Sequence, residues 1–180
     1  MKTKKSKFRY VLLLSTLFMS LANAGDVTYT THTSNGTNIA IFTQVSNEDG
    51  RKSWRDPEGV VWSPYQGALE NNPIHPDANE VVVDSLATEA CARIGGKLPT
   101  FDQFQTLGLY FEQDKYQMNF TSQGEKDLLE IFPYYKKVYF WTSTVDPAYS
   151  RYAVAVSWFY SYHFFWMNRA EQNAVICASK

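Results

Sequence analysis

Residue types that bind metal ions or carry out nucleophilic catalysis are scarce in this sequence. Its 180 residues include two cysteines and three histidines, none at the spacing of a zinc site. The motifs Gly-x-Ser-x-Gly and His-Glu-x-x-His and a glycine-rich phosphate loop are absent. The 18 acidic residues contain no pair that sequence alone assigns to glycoside hydrolysis. The sequence therefore predicts no catalytic residue, no metal site and no cofactor.

A long apolar run is also missing, so no transmembrane helix is expected. Crossing a bilayer needs about 20 apolar residues, and the main apolar run here covers residues 11–21. Five basic residues precede it, and Ala22-Asn23-Ala24 follows as a small-residue cleavage site, the pattern of a secretory signal peptide. We expect residues 1–24 to be removed and residues 25–180 to form one exported domain, periplasmic, extracellular or at the cell surface, without membrane insertion.

Acidic residues outnumber basic residues once that segment is removed. The chain has 17 basic and 18 acidic residues, and removing five basic and no acidic residues lowers its net charge from −1 to −6. Nucleic acids and anionic lipids are bound through clustered lysine and arginine. The charge therefore argues against both as partners. A domain of 156 residues is nevertheless long enough to bury a substantial core.

The two cysteines, Cys91 and Cys177, both lie in the part of the chain that is expected to be exported. An oxidising compartment and an even count favour one disulfide between them. The bridge would close a loop of 87 residues. In the loop-entropy treatment, this cross-link raises the free energy of the unfolded chain by about 4.6 kcal/mol. Two buried, unpaired thiols are the alternative.

Capping residues and apolar spacing predict two main helices. The first begins near Ser85 and ends at the glycine pair of residues 95–96. The second follows Thr100, an N-cap residue whose capping-box partner would be Gln103, three positions later. Residues 125–132 have the spacing of a third, shorter helix.

Strand-type spacing dominates the remainder of the chain. Residues 66–80 contain several turn-forming residues and are expected to form an exposed loop. The order of elements predicts an α+β fold, with two main helices beside an antiparallel sheet that finishes in an antiparallel meander. The segments with strand character are residues 38–42, 60–62, 138–143, 152–158, 163–167 and 174–178.

Five short motifs, taken in order, resemble those of the Lcl C-terminal domain family. They are Trp54-x-Asp56-Pro57-x-Gly59-Val60-x-Trp62, Ala90-Cys91, Gly95-Gly96-Lys97-Leu98-Pro99-Thr100, Phe140-Trp141-Thr142-Ser143-Thr144 and Val175-Ile176-Cys177. The resemblance covers residues 53–180, with Lys97 and Ile176 where the family usually has arginine. It implies a C-type-lectin-like fold, in which a cysteine of the first helix pairs with one of the last strand. It also implies that these motifs are scaffold, and the loop sequences through which many such lectins bind sugar with calcium are absent.

Aromatic residues are abundant, at 16% of the chain, and 15 of the 29 lie within residues 132–166. A strand buries alternate side chains, so the almost continuously aromatic residues 160–166 must present some rings to solvent or to a partner. Closure of a core beneath the loops is the alternative. The residues predicted to bind a ligand on this hairpin face are Tyr149, Arg151, Tyr160, Tyr162, His163, Asn168 and Arg169.

These features predict a recognition domain that binds glycan or protein and performs no chemical step. Exposed rings flanked by polar groups suit stacking on sugars or packing in a protein interface. One alternative is a subunit of a surface fibre or homo-oligomer that uses the same face for self-association. Another is an enzyme, because formylglycine-generating enzymes have a fold related to that of the resembled family. Those enzymes need paired active-site cysteines, and a structural Cys91–Cys177 bridge would leave none.

Overall fold

The computed structural model describes most of the chain that follows the expected signal peptide. That peptide, residues 1–24, lies outside the described residues, as do Tyr160 and Tyr162. The described residues are 26–33, 39–46, 50–72, 85–114, 120–135, 138–158 and 163–180.

Two five-stranded sheets and three helices make up the described residues, so the predicted α+β class is confirmed. The first sheet is antiparallel throughout, in the order β1-β2-β3-β4-β10. The second has the order β5-β9-β6-β7-β8 and is antiparallel except between β6 and β9. The strands are β1 Thr28–His32, β2 Ile39–Ser46, β3 Lys52–Arg55, β4 Val61–Trp62, β5 Ala68–Glu70, β6 Phe140–Val145, β7 Tyr152–Ser157, β8 His163–Asn168, β9 Gln172–Ala174 and β10 Ala178–Ser179. The helices are α1 Leu86–Ala92, α2 Phe101–Leu109 and α3 Ser122–Ile131.

Each helix begins at a residue whose side chain caps it. Ser85 caps α1, and Thr100 and Gln103 form the predicted capping box of α2, with hydrogen bonds of 3.1 and 2.8 Å. The third helix begins three residues earlier than predicted because the hydroxyl of Thr121 accepts a hydrogen bond from the backbone N–H of Gly124. Local hydrogen-bonding chemistry therefore sets the helix starts.

Two sequence-based expectations about the strands are wrong. Residues 66–80 are expected to form an exposed loop; Ala68–Glu70 is instead β5, which pairs with β9, and residues 73–80 lie outside the described residues. Residues 174–178 were expected to form one strand of the closing meander. Instead, β9 ends at Ala174, β10 begins at Ala178 in the other sheet, and β9 pairs with β6 in parallel. The antiparallel meander therefore comprises only β6, β7 and β8.

The change of sheet takes place in residues 175–177, the crossing segment. Its three side chains are at most 2% exposed. Its backbone forms hydrogen bonds with residues 63–67, which are not part of a strand. Val175 donates to Gly67 and accepts from Gln66, and Cys177 likewise exchanges two hydrogen bonds with Ser63. All three side chains are apolar because they are buried, although the backbone is irregular. The sequence of residues 174–178 therefore looks like one continuous buried strand.

Strand β7 of the second sheet is covered on both faces. Val154 and Val156 of β7 belong to the larger core cluster, which includes residues of α2 and α3. Ala153 and Ala155, on the opposite face, belong to a smaller cluster with Cys91 of α1. Because side chains alternate along a strand, β7 is buried on both sides.

The predicted disulfide between Cys91 and Cys177 is confirmed. The two Cα atoms are 5.3 Å apart, and the bridge joins α1 to the crossing segment. Gly95 has a φ of +72°. Glycine adopts this left-handed conformation easily at the end of a helix because it has no Cβ. A Cβ on Gly96 would lie 3.2 Å from Cys177 Cβ and from the carbonyl oxygen of Ala178. The glycine pair therefore lets the chain leave α1 close to the bridge.

A buried carboxylate organises the first of the five motifs. Asp56 Oδ1 accepts hydrogen bonds from the backbone N–H groups of Glu58 and Val60, at 3.0 and 2.9 Å. Its Oδ2 accepts one from the indole N–H of Trp62, at 2.8 Å. Trp62 is 1% exposed. Its ring is tilted against that of Phe104 and lies edge-on to that of Phe132. Asp56 thus fixes both a turn and a core tryptophan.

Replacing both Cys91 and Cys177 by alanine should lower the free energy of unfolding by about 2–5 kcal/mol, because the unfolded chain regains the freedom that the cross-link removes. Urea denaturation of parent and variant measures the difference. A reductant should shift the midpoint of the parent towards that of the variant and leave the variant unchanged. An equal free energy of unfolding for the two proteins would contradict the expected contribution.

Asp56→Asn should lower the free energy of unfolding by about 1–3 kcal/mol, because one amide oxygen cannot replace both carboxylate oxygens and a buried donor loses its acceptor. Asp146→Asn is the matched control. Among the described residues, the hydrogen bonds of Asp146 come from the backbone N–H groups of Ala148 and Tyr149 to Oδ1, so asparagine can keep both. Equal losses in the two variants, measured by thermal unfolding, would count against the proposed role of Asp56.

Candidate functional site

The aromatic segment singled out by the sequence includes β8, which lies at the outer edge of the second sheet. Among the described strands it pairs only with β7, in unbroken antiparallel register from Tyr152–Asn168 to Ser157–His163. A strand at a sheet edge has backbone N–H and C=O groups on its outer side that no neighbouring strand satisfies. This position makes β8 different from the buried β7 beside it.

Three consecutive rings on β8 are exposed to solvent. The exposed fractions are 50% for Phe164, 40% for Phe165 and 46% for Trp166. We call these three residues the aromatic edge. Their exposure agrees with the expectation that a continuously aromatic strand cannot bury every ring.

The aromatic edge presents rings on both faces of the sheet. Phe164 and Trp166 stand opposite Val156 and Val154, which face the larger core cluster. Phe165 stands opposite Ala155, on the other face. Directly opposed residues share a face of the sheet, so the rings alternate on either side of a backbone edge that no other described strand pairs with.

Two neighbouring rings hold the aromatic edge in place. The ring of Phe164 lies edge-on to that of Phe101, at the start of α2, with centroids 4.9 Å apart. The ring of Phe165 lies edge-on to that of Tyr139, with centroids 5.3 Å apart. These edge-to-face contacts limit ring rotation on each face, so the exposed surface is partly ordered before any partner binds.

The sequence of β8 lacks the features that usually protect an exposed strand edge. Residues 163–168 read His-Phe-Phe-Trp-Met-Asn and contain no lysine, arginine, carboxylate or proline. Natural edge strands are commonly blunted by such residues or by a bulge. The aromatic edge therefore has the composition of an interface.

The predicted ligand-binding residues do not form one cluster. Arg151, Asn168 and Arg169 lie at the end of the sheet where β6 turns into β7, together with Tyr149. His163 stands opposite Ser157 at the other end, which is about 17 Å away along β7. The two remaining predicted residues, Tyr160 and Tyr162, lie outside the described residues.

Arg169 has a structural role at the first of these two ends. Its Nε donates a hydrogen bond to the carbonyl oxygen of Asn71 at 2.6 Å, and its Nη1 donates one to that of Ser150 at 3.2 Å. Burial lowers the pKa of the guanidinium. Arg169 thus ties the β8–β9 turn to two other loops, which leaves less of its guanidinium for a ligand.

The neighbours of Arg169 are more accessible. Tyr149 is 62% exposed, and the Cζ of Arg151 lies 5.2 Å from the ring centroid of Tyr152. The side-chain oxygen of Asn168 accepts a hydrogen bond from the backbone N–H of Ala170, which stabilises the turn. Tyr149 and Arg151 therefore remain the more available of the predicted residues at this end.

The sequence-based prediction omitted the aromatic edge itself. Strand alternation assigns half of the rings in a strand to a core, and the sequence does not tell which strand lies at the sheet edge. The lack of any charge or proline across residues 163–168 is typical of an interior strand, so it gave no signal that β8 lies at an edge. Edge position depends on strand order, which is a property of the folded chain.

Within the described ranges, no helix is long and apolar enough to cross a membrane. The same ranges bring together no group of three or more histidine, cysteine, aspartate or glutamate residues that could hold a metal ion. No family model matches the sequence, and neither a curated protein nor a solved structure matches it.

Arg169→Ala should lower the free energy of unfolding by about 1–3 kcal/mol, because two backbone carbonyl oxygens lose a charged donor. Arg151→Ala is the control, since it removes an exposed guanidinium from the same end of the sheet and should change stability little. Chemical denaturation compares the two variants with the parent. Similar stability of the Arg169 variant and the parent would argue against the structural role.

Proposed function

We propose that this protein is a recognition domain that binds an extended segment of a partner protein along the aromatic edge. The observation that carries the proposal is the exposure of Phe164, Phe165 and Trp166 on an uncharged edge strand. A partner strand added there would gain main-chain hydrogen bonds from β8. Its alternate side chains would pack against the rings on the two faces.

The arrangement of the rings favours a protein strand over a glycan at this surface. A sugar ring stacks on one aromatic face, and Phe165 lies on the opposite side of the sheet from Phe164 and Trp166. A paired strand has side chains on both sides of its own backbone and can contact all three rings at once. In addition, a peptide strand can form main-chain hydrogen bonds with the outer edge of β8, and a glycan cannot extend the sheet in this way.

Self-assembly is the second candidate. The same uncharged edge on a second copy of the chain could pair antiparallel with β8 and extend the sheet from five strands to ten. The lack of like charges along residues 163–168 favours this arrangement, since nothing on the edge itself would repel a second copy. The oligomeric state in solution distinguishes the two candidates.

We further propose that the fold is C-type-lectin-like and that the chain is exported. A disulfide that joins the first described helix to the residues just before the last strand agrees with the family resemblance. The same disulfide suits an oxidising compartment, as does the basic and apolar start of the sequence. Aromatic rings rather than titratable groups form the exposed site, which favours binding over catalysis.

Trp166→Lys tests the role of the aromatic edge. Peptides selected from a random displayed library against the secreted protein should slow hydrogen exchange in residues 163–168. The lysine should weaken their binding by at least about tenfold, because it removes a large ring contact and places a charge at the edge. Ile41→Lys, which changes a similarly exposed apolar residue of β2 in the first sheet, is the control and should bind as the parent does.

Each other result has a defined meaning. Peptides that protect a different surface, or that bind the Trp166 variant as tightly as the parent, would contradict the proposal. If light scattering shows that the parent is a dimer and that Trp166→Lys is a monomer, the result would support self-assembly instead. Glycan binding lost in the same variant, without protection of the β8 backbone, would support sugar stacking at this surface.

A further inference from the structure

A separate cleft of about 390 Å³ opens between the first sheet and the end of α3. Its lining includes Tyr65, Tyr134, Trp54, Phe132 and Ile176. We call it the tyrosine cleft. Its volume is in the range of small-molecule binding sites, and its lining includes no residue of the aromatic edge.

The two tyrosines form an aromatic wall at the opening. Their ring centroids are 5.3 Å apart, with an angle of 31° between the rings. Tyr134 is 61% exposed and Tyr65 is half-buried. Within the described part of the chain, neither hydroxyl makes a hydrogen bond, whereas the hydroxyl of the adjacent Tyr135 donates one to Glu125 at 2.9 Å. The wall thus combines apolar ring faces with two hydroxyl groups available to a ligand.

The rim of the cleft carries charges of both signs. Arg51 and Lys52 lie in its lining, and so does Glu130. All three are exposed, and Arg51 also donates a hydrogen bond to the backbone carbonyl of Tyr65, at 3.4 Å. The rim therefore offers hydrogen-bond donors and an acceptor without the strong single-sign field that selects an ion.

We propose that the tyrosine cleft binds a neutral pyranose unit of an oligosaccharide. The apolar face of a sugar ring stacks on an aromatic ring, and Tyr134 presents such a face at the opening. Sugar hydroxyls both donate and accept hydrogen bonds, which matches a rim of two cations and one carboxylate. An anionic ligand would face the carboxylate of Glu130, and a cationic ligand would face both Arg51 and Lys52. This proposal does not depend on the aromatic edge.

A glycan array of neutral and acidic oligosaccharides, probed with the secreted protein, identifies the ligand class. The strongest neutral binder is then titrated by calorimetry against the parent and its variants. Tyr134→Ala should weaken binding by about tenfold because the stacking platform is lost. Tyr134→Phe should weaken it less, since the ring remains.

Two controls separate this site from other surfaces. Leu109→Ala removes an apolar side chain of nearly equal exposure, 57% against 61%, outside the cleft and the aromatic edge, and should leave the affinity unchanged. Trp166→Lys should also leave it unchanged, although it disrupts the aromatic edge. The proposal is overturned if no neutral glycan on the array binds, if only acidic glycans bind, or if the Tyr134→Ala protein, shown to be folded by circular dichroism, binds as the parent does. Loss of glycan binding in the Trp166 variant would place the sugar on β8 instead.

Discussion

The crossing segment, residues 175–177, is the constraint on which the rest of the molecule depends. It carries the chain from β9 in the second sheet to β10 in the first, and it is hydrogen-bonded to residues 63–67, which carry the chain the other way from β4 to β5. The disulfide joins the same segment to α1. Its side chains reach both core clusters, because Ile176 belongs to the larger one and Val175 and Cys177 to the smaller. Movement of either sheet would therefore strain a covalent link and two apolar cores together.

The position of β9 also determines which strand becomes the edge. Because β9 pairs with β6 in parallel and with β5 on its other side, that flank of β6 is filled. The meander of β6, β7 and β8 can then extend only in the opposite direction, which leaves β8 outermost. The exposure of the aromatic edge is thus a consequence of how the chain returns from the second sheet to the first.

Local signals in the sequence predicted the helices well and the strand partners poorly. Thr100 and Gln103 identify the start of α2 because a capping box involves residues three positions apart. Residues 174–178 look like one strand because all five are apolar. Their backbone nevertheless forms hydrogen bonds with residues 63–67 and then with β4. Pairing over such sequence separations is decided by topology, which composition does not encode. For the same reason, the sequence predicted that some rings of residues 160–166 are exposed but did not tell that these are Phe164, Phe165 and Trp166.

The burial of β7 makes the aromatic edge a firm platform. Both faces of β7 pack against core clusters, so the strand that supports β8 has little freedom to move. Phe101 and Tyr139 restrict two of the three rings before a partner arrives. Binding loses less conformational entropy when side chains and backbone are already ordered. An edge that is open to a partner yet rigid at its base is consequently better suited to recognition than a flexible loop with the same rings would be.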